Sequence, residues 1–311
     1  MALEPDLDEE EKQQMRPASR RIGLAGGRLP RLWGALGALS LAIGACSGAS
    51  DGPSGDASGA LPTVRPGVLT IGSDIPYPPF EFEDQGGGLA GFDVDLVRAV
   101  AAKLDLKNRD DDWVSTSFTT IFSSLNAGKF DLVVAAVTAV APEGSPAAET
   151  VKQRREVVDF TLPYYLSRQS LAVAKSSGIK SVKDLSKGDR IGVQRATTGA
   201  FWAEQNLAPR AVEPVSFEKA PETYQALQAG QLVGVVNDLP VSLAALKDRP
   251  QLEVVEEIET GEQYSMAVAK QNPKLRDAIN QALKELFEDG SYARIYKNYF
   301  PGVALPDYAS E

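Results

Sequence analysis

The sequence predicts an α/β fold, and its apolar pattern is the reason. Short apolar runs of strand length alternate with longer segments whose apolar residues recur at helical spacing. The short runs are nearly continuous in apolar residues, which predicts buried strands. The chain has 311 residues and no internal repeat that we can find. This length favours about two folding units.

The predicted strands follow one another along the chain. The first is VLTIG at residues 68–72, and the next is DLVVAAV at residues 131–137. Later strands are predicted for RIGVQ, at residues 190–194, and for LVGVVN, at residues 232–237. Between the first two, residues 81–83 and the glycine-rich segment after them predict a β-hairpin.

Helical spacing appears between these strands and at the end of the chain. A helix is predicted over residues 93–104, with Asp93 as its N-terminal cap. A second is predicted over about residues 273–288, ended by Gly290, and an aromatic helix follows it. The alternation of strands and helices is the pattern of an α/β protein.

The composition excludes several classes of function. Lys and Arg total 32 against 42 Asp and Glu, so the net charge of −10 disfavours nucleic-acid binding. The absence of histidine removes Ser-His-Asp triads and His-ligated metals, and a single cysteine permits no intrachain disulfide. The sequence GGGLAG at residues 86–91 follows a polar turn, so no dinucleotide site is predicted. We expect no metal, no cofactor and no nucleic-acid partner.

Residues 1–45 are predicted to be a signal peptide. An arginine-rich stretch precedes an apolar run at residues 32–45, which is shorter than the ~20 residues of a membrane-spanning helix. The start codon, at Met1 or Met15, stays open. So does the export route, since Ser19-Arg20-Arg21 partly matches a twin-arginine signal and the general secretory route is the alternative.

The apolar run ends in IGAC at residues 43–46, which resembles a bacterial lipobox. We therefore expect Cys46 to be lipidated and to anchor the protein to the outer face of a membrane. The alternative is an ordinary secretory signal with a buried cysteine. Residues 46–66 are rich in Gly, Ser, Pro and Ala, which predicts a flexible tether.

A longer motif carries a family resemblance. The segment GFDVDLVRAVAAKL at residues 91–104 resembles the signature of family 3 bacterial solute-binding proteins, the polar amino-acid receptors of ABC importers. The resemblance extends over nearly all of residues 68–301. Its other motifs, in order and spacing, are SDIPYPPF at 73–80, LNAGKFD at 125–131, VDFT at 158–161, TTG at 197–199, ND at 237–238 and DGSY at 289–292.

The resemblance implies a two-lobe fold of the type II periplasmic-binding-protein kind, with two crossover hinge strands. The first lobe is expected to comprise residues 67–165 and 264–311. The second is expected to comprise about residues 168–261. The hinges are expected near residues 166–167 and 262–263, and a ligand is expected in the cleft between the lobes.

The resemblance also implies how an amino acid is bound. Arg154, six residues before Phe160, is expected to bind the ligand carboxylate, and Arg155 is its competitor in register. Thr198 is expected to help from the N-terminus of a helix. Asp238 is expected to bind the ligand ammonium, together with the Thr138 hydroxyl and the Ala136 carbonyl.

The remaining predicted contacts concern the ligand side chain. Tyr77 and Phe118 align with aromatic residues that sandwich the aliphatic part of the ligand. Asp74 and Gln194 face its end, which favours glutamine or a basic amino acid as the ligand. Residues 135–136, where histidine and lysine receptors tend to carry serine, favour glutamine slightly.

The sequence departs from the family pattern between Thr138 and Arg154. This segment is longer than usual and includes APEGSPAA at residues 141–148, which predicts a surface loop near the mouth of the cleft. The extra length puts the placement of Arg154 in question.

The function expected from these features is a monomeric receptor that delivers a polar amino acid to an ABC transporter permease and catalyses nothing. One alternative is an enzyme on the same scaffold, similar to cyclohexadienyl dehydratases. Another is a lipid-tethered amino-acid sensor.

Overall fold

The computed structural model describes residues 60–309. The predicted signal peptide, the predicted lipidation at Cys46 and most of the predicted tether lie outside these residues. Within residues 60–309, no helix combines the length and the apolar character needed to cross a bilayer.

The last residues of the predicted tether lie against the folded domain. Leu61 packs on a hydrophobic core cluster. The Val64 backbone N–H donates to Asp131 Oδ1 at 2.5 Å, and Asn272 Nδ2 donates to the Pro62 carbonyl at 2.9 Å. The folded part of the chain therefore begins before the predicted boundary at residue 66.

The strands of residues 60–309 form one large mixed sheet and one hairpin. The large sheet has the order β4-β1-β5-β11-β7-β10-β8-β9, with β6 paired to β11, and β2 and β3 form the hairpin that the sequence predicts. The strands are β1 (Ile71–Ser73), β2 (Phe82–Glu83), β3 (Leu89–Ala90), β4 (Trp113–Ser115), β5 (Leu132–Val133), β6 (Thr138–Val140), β7 (Val158–Ala174), β8 (Arg190–Gln194), β9 (Glu213–Phe217), β10 (Gly234–Asp238) and β11 (Leu252–Ala269).

The α-helices of the same residues lie between these strands and at the end of the chain. The helix predicted over residues 273–288 and the aromatic helix after it are both confirmed, as α7 and α8. The helices are α1 (Phe92–Lys103), α2 (Ile121–Asn126), α3 (Pro146–Val157), α4 (Thr198–Asn206), α5 (Ala220–Gln228), α6 (Leu239–Leu246), α7 (Pro273–Glu288) and α8 (Ser291–Tyr299).

Two long antiparallel strands connect two lobes. β7 has 17 residues and β11 has 18, and they pair along most of their length. The register between them shifts from Ile258 to Glu262, opposite residues 167–169. Two core clusters draw mainly on residues 69–165 and 264–309, and two others on residues 171–255. Each lobe thus has its own core, and the lobe boundaries near residues 166–167 and 262–263 stay a prediction.

The N-terminus of α1 differs from its prediction. The cap is Gly91, at φ 135°, and a Cβ at this position would lie 2.0 Å from the Phe80 carbonyl oxygen, so only glycine fits. The expectation that Asp93 caps the helix is therefore wrong. Asp93 is fully buried and accepts hydrogen bonds from the Tyr164 hydroxyl at 2.8 Å and from the Ala136 N–H at 3.2 Å.

The strand predicted over residues 131–137 is broken. β5 ends at Val133, and β6 begins only at Thr138. Ala136, in the gap, has φ 46°, a left-handed conformation that is uncommon for a residue other than glycine. Asp93 holds this backbone in place through the Ala136 N–H. Residues 135 and 136, at this break, line a cavity between the lobes.

The prediction of a surface loop in the long segment after Thr138 is mostly wrong. Residues 141–145 are irregular, but α3 begins at Pro146 and continues through Arg154. Pro146 fits this start because the first helical position needs no N–H donor. Ala147, Val151 and Arg154 share one buried face of the helix. The extra residues thus form a helix that carries Arg154 toward the cleft.

Candidate ligand-binding site

A cavity lies between the two lobes. Both lobes and the broken strand contribute to its wall. All of the residues predicted to contact a ligand line it: Asp74, Tyr77, Phe118, Ala136, Thr138, Arg154, Gln194, Thr198 and Asp238. Glu81, Ala135 and Thr197 line it as well.

Arg154 is buried at the wall of this cavity, with 6% of its surface exposed. Its Nη1 donates to the Thr138 carbonyl at 2.8 Å, and its Nη2 donates to the Ala196 carbonyl at 3.3 Å. The guanidinium carbon lies 5.3 Å from the centroid of the Phe118 ring. Burial lowers the pKa of Arg154 to about 10, so the side chain stays cationic at neutral pH. A guanidinium has five N–H donors, so others remain for a ligand.

Arg155, the alternative to Arg154 as the residue that binds the ligand carboxylate, lies away from the cavity. It is exposed, its Nη2 donates to the Ala139 carbonyl at 2.7 Å, and its guanidinium carbon lies 5.4 Å from the Phe160 ring centroid. It does not line the cavity. The helical twist of α3 separates the two neighbours, because adjacent residues of a helix point in different directions.

Two hydroxyls beside Arg154 already bind a carboxylate. Thr138 Oγ1 and Thr198 Oγ1 each donate to Glu262 Oε2 at 2.6 Å. Thr198 is the first residue of α4, and Thr197 caps this helix by accepting from the Ala200 N–H at 3.1 Å. The Glu262 carboxylate, on β11, therefore accepts one hydrogen bond from a hydroxyl of the first lobe and one from a hydroxyl of the second lobe.

Asp238 lies at the end of β10, with 7% of its surface exposed. Its Oδ2 accepts from the Tyr77 hydroxyl at 2.6 Å, and its Oδ1 accepts from Gln169 Nε2 at 2.6 Å. Burial, and secondly the nearby charge of Glu262, raise the pKa of Asp238 to about 6. Asp238 is thus a carboxylate that burial disfavours and that a cation would stabilise.

Arg154 and Asp238 have a further property in common. Among residues 60–309, neither forms an ion pair, although both are buried and both line the cavity. The negative charge of Glu262, and secondly that of Asp238, favours the cationic form of Arg154. Buried charges are stable in proteins when they are paired. The cavity therefore presents one unpaired cation and one unpaired anion to its contents.

Two aromatic residues belong to the cavity wall. Tyr77 and Phe118 are both buried and line the cavity. Tyr77 also connects the lobes, since its hydroxyl donates to Asp238 of the second lobe. Phe118 packs beneath the Arg154 guanidinium at a distance typical of cation–π contacts.

Asp74 and Gln194 meet at another part of the cavity wall. Gln194 Nε2 donates to Asp74 Oδ2 at 2.5 Å. Lys219 forms an ion pair with the other carboxylate oxygen of Asp74, and it also donates to the Ile75 carbonyl at 3.1 Å. Burial raises the pKa of Asp74, and the lysine partly opposes this shift.

A second buried acid lies near Asp74. Glu81 is fully buried, and neither of its carboxyl oxygens accepts a side-chain or backbone hydrogen bond from residues 60–309. Burial, followed by the charges of Asp93 and Asp74, raises the pKa of Glu81 well above its usual value. Burial also raises the pKa of Asp93 to about 7. Burial therefore favours the uncharged form of Glu81.

Several cavity-wall or supporting residues were not predicted from the sequence. Gln169 and Glu262 lie on the long strands and form hydrogen bonds with groups of both lobes. Glu81 lies at the start of the hairpin, and Lys219 precedes α5. The sequence gives one weak signal for them, namely polar side chains inside strand-like segments. Among the described residues, no group of three or more Cys, Asp and Glu side chains is arranged to hold a metal ion.

The chain belongs to family 3 of the bacterial extracellular solute-binding proteins, whose family profile matches residues 69–302. A relative from Neisseria gonorrhoeae, described as a probable histidine-binding protein, is 31% identical over 274 residues, covering 86% of this chain and 93% of the relative. The protein is therefore an extracytoplasmic solute-binding receptor.

Two solved structures of similar proteins identify the fold. An ancestral arginine-binding protein bound to arginine has a TM-score of 0.68 and 35% identity, covering 75% of this chain and 98% of the other. A structure of an ancestral arginine-binding protein bound to glutamine has a TM-score of 0.65 and 36% identity, covering 76% and 99%. The two lobes and their two crossover strands are thus the type II fold of periplasmic binding proteins.

Proposed function

We propose that this protein captures a free polar amino acid between its lobes and delivers it to an ABC transporter permease, with glutamine or a basic amino acid as the ligand. The observation that carries this proposal is the pair of unpaired buried charges, Arg154 and Asp238, on the wall of one cavity. A free amino acid supplies a carboxylate and an ammonium together, so it can pair both charges at once.

The surrounding groups support one orientation of the ligand, with its carboxylate at Arg154 and its ammonium at Asp238. The carboxylate is expected at Arg154, where the Thr138 and Thr198 hydroxyls now donate to Glu262. The N-terminus of α4, where Thr198 lines the cavity, also favours an anion through the positive end of the helix dipole. The ammonium is expected at Asp238, where it would lower the pKa of the carboxyl group below about 6.

Ligand binding by residues of both lobes also provides the delivery signal. Arg154 and Thr138 belong to the first lobe, and Thr198 and Asp238 to the second. A ligand held by both stabilises the closed form through contacts that an open form lacks. We propose that the protein acts as a monomer and that a permease recognises this closed form.

A thermal-shift screen against the twenty common amino acids, ornithine and citrulline tests the binding function. At a free ligand concentration of about 100 times Kd, a ligand adds about 2.7 kcal/mol to stability. For a folded part of this size, this should raise Tm by roughly 5–10 °C. If no amino acid at millimolar concentration raises Tm, the proposed function is wrong.

The dehydratase alternative has one structural argument, because burial raises the pKa of Glu81 and favours the protonated form that a general acid needs. We propose a receptor instead, since the relatives reported above are named for binding and not for catalysis. Mass spectrometry after incubation provides a control for the screen. A receptor returns its ligand chemically unchanged, whereas conversion of prephenate or arogenate would identify an enzyme.

We also propose that a lipid on Cys46 anchors the receptor to the membrane, as its lipobox-like sequence indicates. The Cys46→Ala variant, expressed in a bacterial host, should then move from the membrane fraction to the soluble extracytoplasmic fraction. The wild-type protein should instead partition into detergent. Equal membrane association of both would exclude a lipid anchor at this residue.

A further inference from the structure

The Asp74 carboxylate is already occupied by groups from the second lobe. Gln194 Nε2 donates to one of its oxygens at 2.5 Å, and Lys219 Nζ pairs with the other. Lys219 also donates to the Ile75 carbonyl at 3.1 Å. The only cation beside Asp74 among the described residues is therefore the ammonium group of Lys219, which pairs with this cavity-wall carboxylate although Lys219 is not itself among the residues that line the cavity.

The local structure positions Lys219 for this contact. Lys219 is the residue before α5, and its backbone N–H donates to Glu222 Oε2 at 3.1 Å, which fixes the start of the helix. The side chain of Asp74 is 4% exposed and that of Lys219 is 26% exposed. Because Asp74 is buried and Lys219 is only partly exposed, solvent screens this ion pair less than it screens a surface pair.

The charges beside Asp74, at its end of the cavity, balance when no ligand is bound. Asp74 and Lys219 neutralise each other. Burial raises the pKa of Glu81, the other acid of the cavity wall at this end, and so favours its uncharged form. A cationic ligand side chain would have to expel Lys219 or lie beside it without a counter-charge, and either outcome costs binding free energy.

An uncharged amide group matches the same pair of charges. Its N–H groups can donate to the Asp74 carboxylate, and its carbonyl oxygen can accept from the Lys219 ammonium. Gln194 is itself an amide that bonds Asp74, which shows that this geometry is available at the carboxylate. A ureido group offers the same donors and acceptor.

We propose that Lys219 is a specificity-determining residue that favours amino acids with a carboxamide or ureido side chain, such as glutamine or citrulline, over arginine and lysine. This inference rests on the proposed function, because it assumes that an amino acid occupies the cavity. It distinguishes this chain from the relative and the ancestral protein that are named for histidine and arginine.

Calorimetric titration of the purified protein with glutamine and with arginine tests the inference. The wild-type protein should bind glutamine at least about tenfold more tightly than arginine. In Lys219→Met, glutamine loses its ammonium donor and arginine gains a free carboxylate. The ratio of the two affinities should therefore shift toward arginine by about 30-fold or more, which combines loss of one charge-assisted bond with relief of one repulsion.

Two further variants separate the charge of Lys219 from other effects. Lys219→Arg retains a cation and should retain the preference for glutamine. Lys187→Met, which removes an exposed lysine from the same lobe, should leave both affinities unchanged. Tighter wild-type binding of arginine, or an unchanged ratio in Lys219→Met, overturns the inference. Absence of binding by any amino acid would instead count against the proposed function.

Discussion

Arg154→Met is expected to weaken amino-acid binding on the order of 10²–10³-fold. The substitution retains much of the side-chain volume beneath which Phe118 packs. It removes the only cation that lines the cavity among residues 60–309. The ligand carboxylate would then be buried without a counter-charge, which costs about 3–4 kcal/mol. Isothermal titration calorimetry measures the change directly.

Arg155→Met is a closely matched control. Both arginines lie on α3, both donate to a carbonyl of β6 and both pack over a phenylalanine ring. Only Arg154 lines the cavity. Arg155→Met should therefore bind ligand with wild-type affinity. Equal losses in the two variants would show that α3 acts through the stability of the lobe and not through contact with the ligand.

Asp238→Asn should weaken binding by about 100-fold at neutral pH. The amide has the size of the carboxyl group and can still accept from the Tyr77 hydroxyl, but it lacks the charge that pairs the ligand ammonium. Asp248→Asn, an exposed change on the same lobe, should have no effect. Binding by Asp238→Asn at wild-type affinity would remove Asp238 from the site.

The pH dependence of binding provides a second readout for Asp238. Burial raises the pKa of this group in the ligand-free protein from 3.8 to about 6, and the ligand ammonium favours the ionised form. Below pH 6 the ligand must displace a proton, so Kd should rise by up to about tenfold per pH unit, and it should level off above pH 7. Asp238→Asn should lose this acid-side change in Kd.

The same pKa shift has a consequence for the ligand-free protein. Because the folded-state pKa of Asp238 lies above its unfolded value, the contribution of this group to stability is fully present below pH 3.8 and is lost as the pH rises through about 6. At neutral pH the empty site therefore carries an ionised, buried and unpaired carboxylate. A bound ammonium compensates this cost, and so ligand binding and stability are coupled at one residue.

The residues nearest the ends of strands were the most predictable part of the site. Gln194 ends β8 and Asp238 ends β10, and both strands have clear apolar patterns. In an open sheet with parallel strands, ligands bind at the carboxyl ends of the strands. Together with the family motifs, this places these residues without knowledge of side-chain directions. Arg154 was predicted by its spacing from Phe160, although the secondary structure around it was not.

The residues that sequence analysis missed owe their positions to tertiary contacts. Lys219 reaches Asp74 only because the lobes face each other, and the two are separated by 145 positions in the chain. The sequence predicts Glu81 to be part of a hairpin, and no local sequence pattern predicts that it is fully buried. Likewise, the signals for a loop before α3 were proline and glycine, yet a proline at the first helical position starts a helix.

A crystal structure of the complex with the amino acid that raises Tm most tests the central claim most directly. One α-carboxylate oxygen or both should lie about 3 Å from the Arg154 guanidinium, and the α-ammonium should lie about 3 Å from an Asp238 oxygen. A ligand found outside this cavity, or one bound in the reverse orientation with its carboxylate toward Asp238, would contradict the account.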